Sequence, residues 1–376
     1  MNTQKRLELI KKDVDEILVE NELKYLLEQG VKLNHYIGFE ISGFVHLGTG
    51  IQSMKKVRDF QKAGVNCSIF LADWHSWINN KLGGDMEKIR KIAGGYFKEA
   101  LKTSLKCVGG NPDKVKFVLG SDLYHNNDNY WQTMIEISKE ITLSRVQRSI
   151  TIMGRKEGEA INFAQLIYPP MQSADIFTQN INLAHAGSDQ RSAHVIAREV
   201  ALKLKTQPLI YKNKKYKPIT IHHHLILGLQ KPQTWPIDKN KIREIWSSMK
   251  MSKSIPKSAV FIHDSPNEIK EKLNSAFCPV KEITFNPVLD WVKHLVFLDD
   301  NSTFKIEREK KYGGDIIFEN YNELEKQYSK GDIHPQDLKN ATANSLIKIL
   351  EPARKHFSQP KNKKLLDELN HLTITR

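Results

Sequence analysis

Strand-like and helix-like stretches alternate through the first two hundred residues. Residues 5–29 place apolar side chains every three or four positions, as one or two amphipathic helices would. His35–Ile41 reads as a strand, and Gly48–Ala63 continues as a helix after a glycine turn. Val65–Ala72 is an almost unbroken apolar run, the pattern of a strand buried on both faces. A helix follows from about Met86 to Cys107, then a strand at Val115–Leu119 and a long helix at Asp128–Ile150. Ile181–Ala186 is again strand-like, with a helix from Asp189 to Leu204. Such alternation with short turns predicts an α/β fold, a Rossmann-like, doubly wound parallel sheet. Ligands of such sheets sit beyond the carboxyl ends of the strands.

The pattern changes near Leu229. Pro232 and Pro236 interrupt the chain, and a charged stretch leads to Lys250. After Asp264-Ser265-Pro266 the chain reads mainly helical, with a cap at Ser265 and helices around Tyr321–Tyr328 and Pro335–His356. The expected organisation is an α/β nucleotide-binding domain over 1–229, with a helical insertion at about 100–150. A linker over 230–265 and a helical domain over 266–376 follow. The tail Gln359–Arg376 is basic and expected to fray.

Composition narrows the classes. With 376 residues and 40% apolar content, the chain can build a large core, so disorder is not the default. Lys and Arg number 57 against 43 Asp and Glu, a net +14 that suits a polyanionic partner, nucleic acid or anionic membrane, or serves solubility alone. Cys67, Cys107 and Cys278 are scattered without a CxxC pair, which argues against a disulfide framework or zinc module and fits a reducing, cytoplasmic setting. No run nears eighteen apolar residues, and the N-terminus has no apolar signal core, so no membrane association is expected.

Two motifs carry the chemistry. Ser42-Gly43-Phe44-Val45-His46-Leu47-Gly48 falls where a strand turns into a helix. A His-x-Gly triplet arises by chance roughly once in such a chain, so its placement supplies the weight. There Gly43 permits an unusual turn, Gly48 lets a ligand approach, and an imidazole can donate to phosphate oxygens. Lys250-Met251-Ser252-Lys253-Ser254 is a basic loop whose two lysines can close over pyrophosphate; an ordinary solvated loop is the plainer reading.

Three further segments are suggestive. Tyr168, Gln172 and Asp175 share one face if helical, forming a polar pocket in an apolar wall, or else serving as structural hydrogen-bonders. Gly187-Ser188-Asp189-Gln190 opens a helix, where Asp189 can accept ribose hydroxyls or simply cap. His222-His223-His224 looks like a metal cluster, yet neighbours on a strand point to opposite faces. Structural or nucleotide-adjacent roles are favoured, and no metal site is expected from them.

Taken together, these residues resemble the tyrosyl-tRNA synthetases of archaeal/eukaryotic type, within the class I aminoacyl-tRNA synthetases, from about residue 5 to 356. The matching segments are YIGFEISGFVHLG at 36–48, FLADWHSWIN at 70–79, LIYPPMQSADIF at 166–177, GSDQRSAHVIARE at 187–199, KMSKS at 250–254, YGGD at 312–315 and IHPQDLKNA at 333–341. The resemblance implies a tyrosine–tRNA ligase with a C-terminal helical anticodon-binding domain. It implies that Tyr36 and Asp175 hold the phenol, and that Tyr168, Gln172 and Gln190 hold the ammonium and carboxylate. Gly38, Ser42, His46, Gly48, Gly187 and Asp189 would contact the adenylate, with Lys250 and Lys253 on the phosphates. Asp337, Tyr312 and His334 would read the anticodon, and Arg148 and Arg191 the acceptor stem. ATP with Mg²⁺, L-tyrosine and tRNA(Tyr) are the implied substrates, and a homodimer formed through the helices around 100–150 the implied assembly.

Two departures stand out. The signature in this family ends in His or Asn, whereas Thr49 follows Gly48; a hydroxyl can still donate, so Thr49 stays among the catalytic candidates. Residues Gln230–Met249 are also longer than in compact archaeal members. A tryptophan–tRNA ligase, a small-molecule adenylating enzyme and a catalytically inactive tRNA-binding homologue are the alternative readings.

Overall fold

Runs of residues that avoid water on both faces become the central strands. The computed structural model describes residues 1–154, 160–238, 240, 242–253 and 255–372, with Arg243 and Ser247 described by backbone alone. Ser254 of the lysine loop and tail residues 373–376 lie outside the described residues. Ten strands occur among them: β1 Glu16–Leu18, β2 Asn34–Phe39, β3 Asn66–Leu71, β4 Val115–Leu119 and β5 Leu183–Gly187 come first. They are followed by β6 Ile210–Tyr211, β7 Lys214–Lys215, β8 Ile219–His223, β9 Phe304–Ile306 and β10 Ile316–Phe318.

Six strands form one sheet in the order β1-β8-β5-β2-β3-β4. The pairs β8–β5, β5–β2, β2–β3 and β3–β4 are parallel, as expected, while β1 closes the edge antiparallel to β8. The chain adds strands on one side of β2 up to β4, then returns to place β5 on its other side. That reversal opens a crevice beyond the carboxyl ends of β2 and β5. β1 was not visible in the sequence, because three half-buried residues between two helices carry no strand period.

Several helices are shorter or more broken than the periodicity suggests. The stretch after Gly48 begins as a π-turn, Gly48–Gln52, before the helix Ser53–Lys62. The Met86–Cys107 run is interrupted at Ala93–Phe97, where Gly95 leaves the helical region. The Asp128–Ile150 run divides into Asp128–Glu140 and Leu143–Ser149, because the Thr142 side chain accepts from Arg145 N and caps a new helix. The helix after β5 covers Arg191–Val200, shorter than expected.

Beyond 266 the helices Pro266–Asn274, Pro335–Ile349, Glu351–Ser358 and Pro360–Asn370 dominate, but β9 and β10 pair as an antiparallel hairpin among them. The tail is held through Asn370, since Leu369 is fully buried and Lys91 pairs with Glu368 at 3.2 Å. One hydrophobic cluster runs from Leu7 through Ile69 to Trp291 and Leu369, so sheet and C-terminal helices share a core. A second gathers Tyr36, Tyr124, Tyr130 and Met171 around the crevice. Residues 230–249 pack as a strap: Trp235, Ile245 and Trp246 lie against Leu227, Met249 and Phe285. Among the described residues no helix is long and apolar enough to cross a membrane.

Candidate active site

A cleft of about 680 Å³ opens at the crevice between β2 and β5. Its deep end is built from aromatic side chains around one carboxylate. Asp175, on the helix Phe163–Thr178, is 1% exposed and accepts from the Tyr124 hydroxyl at 2.9 Å. His75 Nε2 lies 3.6 Å from its other oxygen. Burial pushes the Asp175 carboxyl well above its ordinary range, and pushes His75 down to about 3, so that imidazole is neutral. Tyr36, on β2, lines the same end; burial and then the Asp175 charge push its phenol upward.

The middle of the cleft is a polar wall. Asn162 and Gln165 form a capping box that starts the helix, which tolerates Pro169 and Pro170 in its interior and turns Tyr168, Gln172 and Asp175 to the cleft. The Tyr168 hydroxyl donates to Glu40 at 3.0 Å, and Asn79 Nδ2 donates to the same oxygen at 2.8 Å. Lys81 Nζ stands 3.4 Å from the other. Gln172 donates to Gln190 at 3.3 Å, while Gln190 donates to the Ile152 carbonyl at 2.9 Å. Gln172 Oε1 is buried with no hydrogen-bond partner among the described residues, an acceptor suited to a bound cationic donor.

At the outer end the two motifs meet. Gly43 adopts φ 130°, the backbone region open to glycine, and turns the chain from Ser42 toward His46. His46 Nδ1 accepts from Gly48 N at 3.1 Å and Thr49 N at 3.4 Å, so the proton belongs on Nε2, 3.3 Å from the Thr49 hydroxyl. A side chain at Gly48 would crowd that ring at 3.1 Å. Burial, then Lys253 and Lys250, push His46 down to about 3, so it is a neutral donor. Across the cleft Lys253 Nζ meets Ser42 Oγ, and Lys250 pairs with Asp189. Burial and then Lys81 lower Lys253 to about 7. Gly38 and Gly187 line the cleft between these groups.

The lysine loop is anchored rather than loose. Lys250 bridges Leu227, and Met251 N donates to the Ile226 carbonyl at 2.7 Å. Leu227 is gripped in turn from the C-terminal half: Asp290 accepts from its N–H at 2.9 Å, and Trp291 Nε1 donates to its carbonyl at 2.7 Å.

The remaining candidates lie away from the cleft. Arg191 forms a forked pair with Glu16 at 2.8 Å, beside His222, and Arg148 is exposed on the helix Leu143–Ser149. Tyr312 is 64% exposed in the β9–β10 hairpin, with Lys311 Nζ 4.8 Å from its ring centre. His334 caps the helix Pro335–Ile349, which carries Asp337 in its first turn. Arg308 joins these segments, donating to the Gly314 carbonyl and to the Asp332 carbonyl, each at 3.2 Å.

The histidine triplet disperses. His222 bonds His194 at 3.0 Å, and His223 bonds His185 at 2.7 Å, which reaches His35 at 3.2 Å. His224 turns to Asp290 at 2.7 Å. Sequence reasoning missed Tyr124, His75, Glu40 and Lys81. His75 lies inside the segment FLADWHSWIN and Glu40 inside YIGFEISG, so both were within reach of the motifs; Tyr124 carries no motif.

Residues 28–351 match the family model of class I tRNA synthetases (W and Y). The tyrosine–tRNA ligase of Thermococcus kodakarensis is 56% identical over 378 residues, and that of Pyrococcus furiosus 55%, each match covering 100% of both chains. Among solved structures, tyrosyl-tRNA synthetase from Pyrococcus horikoshii, complexed with L-tyrosine, superposes with a TM-score of 0.96 at 53% identity, covering 98% of this chain and 100% of that one. The Aeropyrum pernix tyrosyl-tRNA synthetase gives 0.82 at 36% identity, covering 98% and 99%.

Proposed function

The chain belongs to the class I tRNA synthetases as an archaeal-type tyrosine–tRNA ligase, and we propose that its cleft distributes the reaction among named side chains. The enzyme activates L-tyrosine with ATP and ligates it to tRNA. The phenol lies at the deep end, where Tyr36 and Asp175 bond it and Tyr124 holds the carboxylate in place. The ammonium faces Gln172 Oε1, Tyr168 and Gln190, with Glu40 behind Tyr168. Gly38, Gly187 and Asp189 take the adenosine, and Ser42 and Gly48 its α-phosphate side.

The tyrosine carboxylate attacks the α-phosphorus in line and pyrophosphate leaves. No protein nucleophile is needed, so positioning and charge stabilisation carry the rate. His46 donates from Nε2, Thr49 orients that imidazole, and Lys250 and Lys253 leave Asp189 and Ser42 for the departing pyrophosphate. A terminal ribose hydroxyl of tRNA then attacks the adenylate carbonyl and AMP leaves. Mg²⁺ enters with ATP as part of that substrate; Glu40 and Asp175 already accept from neighbouring side chains and Asp189 is assigned to the adenosine, so the phosphates would hold it.

We assign residues 1–229 to the catalytic domain, 230–265 to the linker with the lysine loop and 266–376 to anticodon binding. Tyr312, His334 and Asp337, joined through Arg308, take the anticodon base by stacking and hydrogen bonding. Arg148 and Arg191 face the acceptor stem, Arg191 exchanging Glu16 for phosphate. A cytoplasmic homodimer through the helices around 100–150 completes the proposal. The observation that carries the reading is the buried Asp175, held by Tyr124, in a cleft whose mouth is lined by His46, Lys250 and Lys253. Tyrosine-dependent ATP–pyrophosphate exchange followed by charging of tRNA(Tyr) tests it, with Asp175→Ala as the control.

A further inference from the structure

Two imidazoles converge on one carboxylate at the joint between the sheet and the C-terminal helices. His224, just past β8, and His294, in the π-turn Val292–Val296, stack with ring centres 4.1 Å apart and 18° between planes. Both direct Nε2 at Asp290 Oδ1, at 2.7 Å for His224 and 3.8 Å for His294. The three ligand atoms lie within 4.8 Å of one another. We propose that His224, Asp290 and His294 form a binding site for a borderline divalent ion of the zinc class.

The donor set suits such an ion, since imidazole with carboxylate favours zinc and its neighbours over magnesium or calcium. Bonds of about 2.0–2.2 Å in a tetrahedron would set the ligand atoms about 3.4 Å apart, so both histidine–carboxylate spacings change by less than about 1 Å. The surroundings resemble the support that metal ligands need. Asp290 Oδ2 is fixed by Leu227 N at 2.9 Å, which aims Oδ1 into the site. Asp15 Oδ1 stands 3.7 Å from His224 Nδ1, on the side of the ring away from the site, while Nε2 now donates to Asp290 and would release that proton to solvent when the ion binds. Asp15 is itself held by Ser188 Oγ at 2.8 Å. The nearby cations are engaged elsewhere: Lys55 pairs with Asp13 at 2.7 Å, and Lys293 lies 5.3 Å from the Tyr321 ring centre. Both histidines keep some exposure, at 15% and 14%, which leaves room for water as fourth ligand.

Bound there, the ion would staple the end of β8 to the turn after Trp291, next to Asp290 and Trp291, which grip Leu227 beneath the lysine loop. The test uses full-length protein, stripped with a chelator and dialysed against zinc and separately against cobalt. One zinc per chain and the intense visible bands of four-coordinate cobalt are expected. His294→Gln should release the ion, and Asp15→Asn should weaken it about 10- to 100-fold. Substoichiometric zinc in the unaltered chain, or zinc held equally well by His294→Gln, would overturn the site. Should His294→Gln fail to fold, cobalt in the unaltered chain decides: no four-coordinate spectrum means no site. Neither readout depends on aminoacylation, so the result stands apart from the assignment of the cleft.

Discussion

The Tyr124 hydroxyl donates to Asp175 at 2.9 Å inside a wall of buried aromatics. A carboxylate in such a place costs several kcal/mol unless hydrogen-bonded, and an acceptor is wasted unless a ligand completes it. In the proposed reading tyrosine brings the hydroxyl that does so, and phenylalanine does not. Sites built to bond a hydroxyl reject the analogue lacking it by about 10⁴–10⁵, a range that comes from tyrosine-specific enzymes themselves rather than from this geometry.

Asp175→Ala should therefore collapse the tyrosine-over-phenylalanine ratio of kcat/KM by at least about 10²-fold, through tyrosine's loss. Tyr124→Phe should lower it less, by about tenfold, because Asp175 keeps its position but loses one donor. Steady-state pyrophosphate exchange with both amino acids measures each ratio. An unchanged ratio in Asp175→Ala removes the phenol from this end of the cleft.

The proposed role of His46 is that of a neutral donor, because burial and two lysines hold it at about 3. His46→Ala should reduce kcat for activation by about 10²–10³, as loss of a donor at developing charge does elsewhere. Thr49→Val should cost about tenfold or less, since the hydroxyl only orients the ring. The pH profile of kcat/KM should show no imidazole inflection between about pH 5 and 6 that His46→Ala removes; such an inflection would mean a charged imidazole.

Lys253 gives the pH-dependence its sign. Its ammonium is lowered to about 7 in the free protein, so at pH 8 it is mostly neutral. Phosphates favour the charged form, and ATP binding should take up most of a proton at pH 8 but little at pH 6, where the group is already charged. Calorimetry of ATP binding in two buffers of different ionisation enthalpy reads this directly. The uptake should vanish in Lys253→Ala; if it persists there, another group titrates.

How much of this was written in the sequence depended on range. Most of the parallel strands were legible because runs such as β3 are buried after their first residue, and the cleft followed from where strand turned to helix; β8 was not read, although all five of its residues are buried. Tyr168, Gln172 and Asp175 were legible because one helix face carries all three. Tyr124 was not, since its partner lies fifty-one residues on and its own helix, Gly120–Tyr124, is five residues long. The grip of Asp290 and Trp291 on Leu227 was equally hidden, spanning sixty-three and sixty-four residues without a motif at either end. The helix breaks at Gly95 and Thr142 were readable as residue types, but hydrophobic period outweighed them.

That grip predicts a split phenotype. Trp291→Phe leaves the Leu227 carbonyl without its buried donor, costing about 1–3 kcal/mol, and loosens the segment that Lys250 bridges. The urea midpoint should fall, and KM for ATP should rise while KM for tyrosine stays near that of the unaltered enzyme. A rise in both would place Trp291 in general support of the core instead.

The most direct test of the account is ATP–pyrophosphate exchange with each of the twenty amino acids in turn, without tRNA. Exchange with tyrosine alone is the predicted result, because only a phenol completes Asp175. Exchange with tryptophan or phenylalanine at a comparable rate, or no exchange at all, would contradict it.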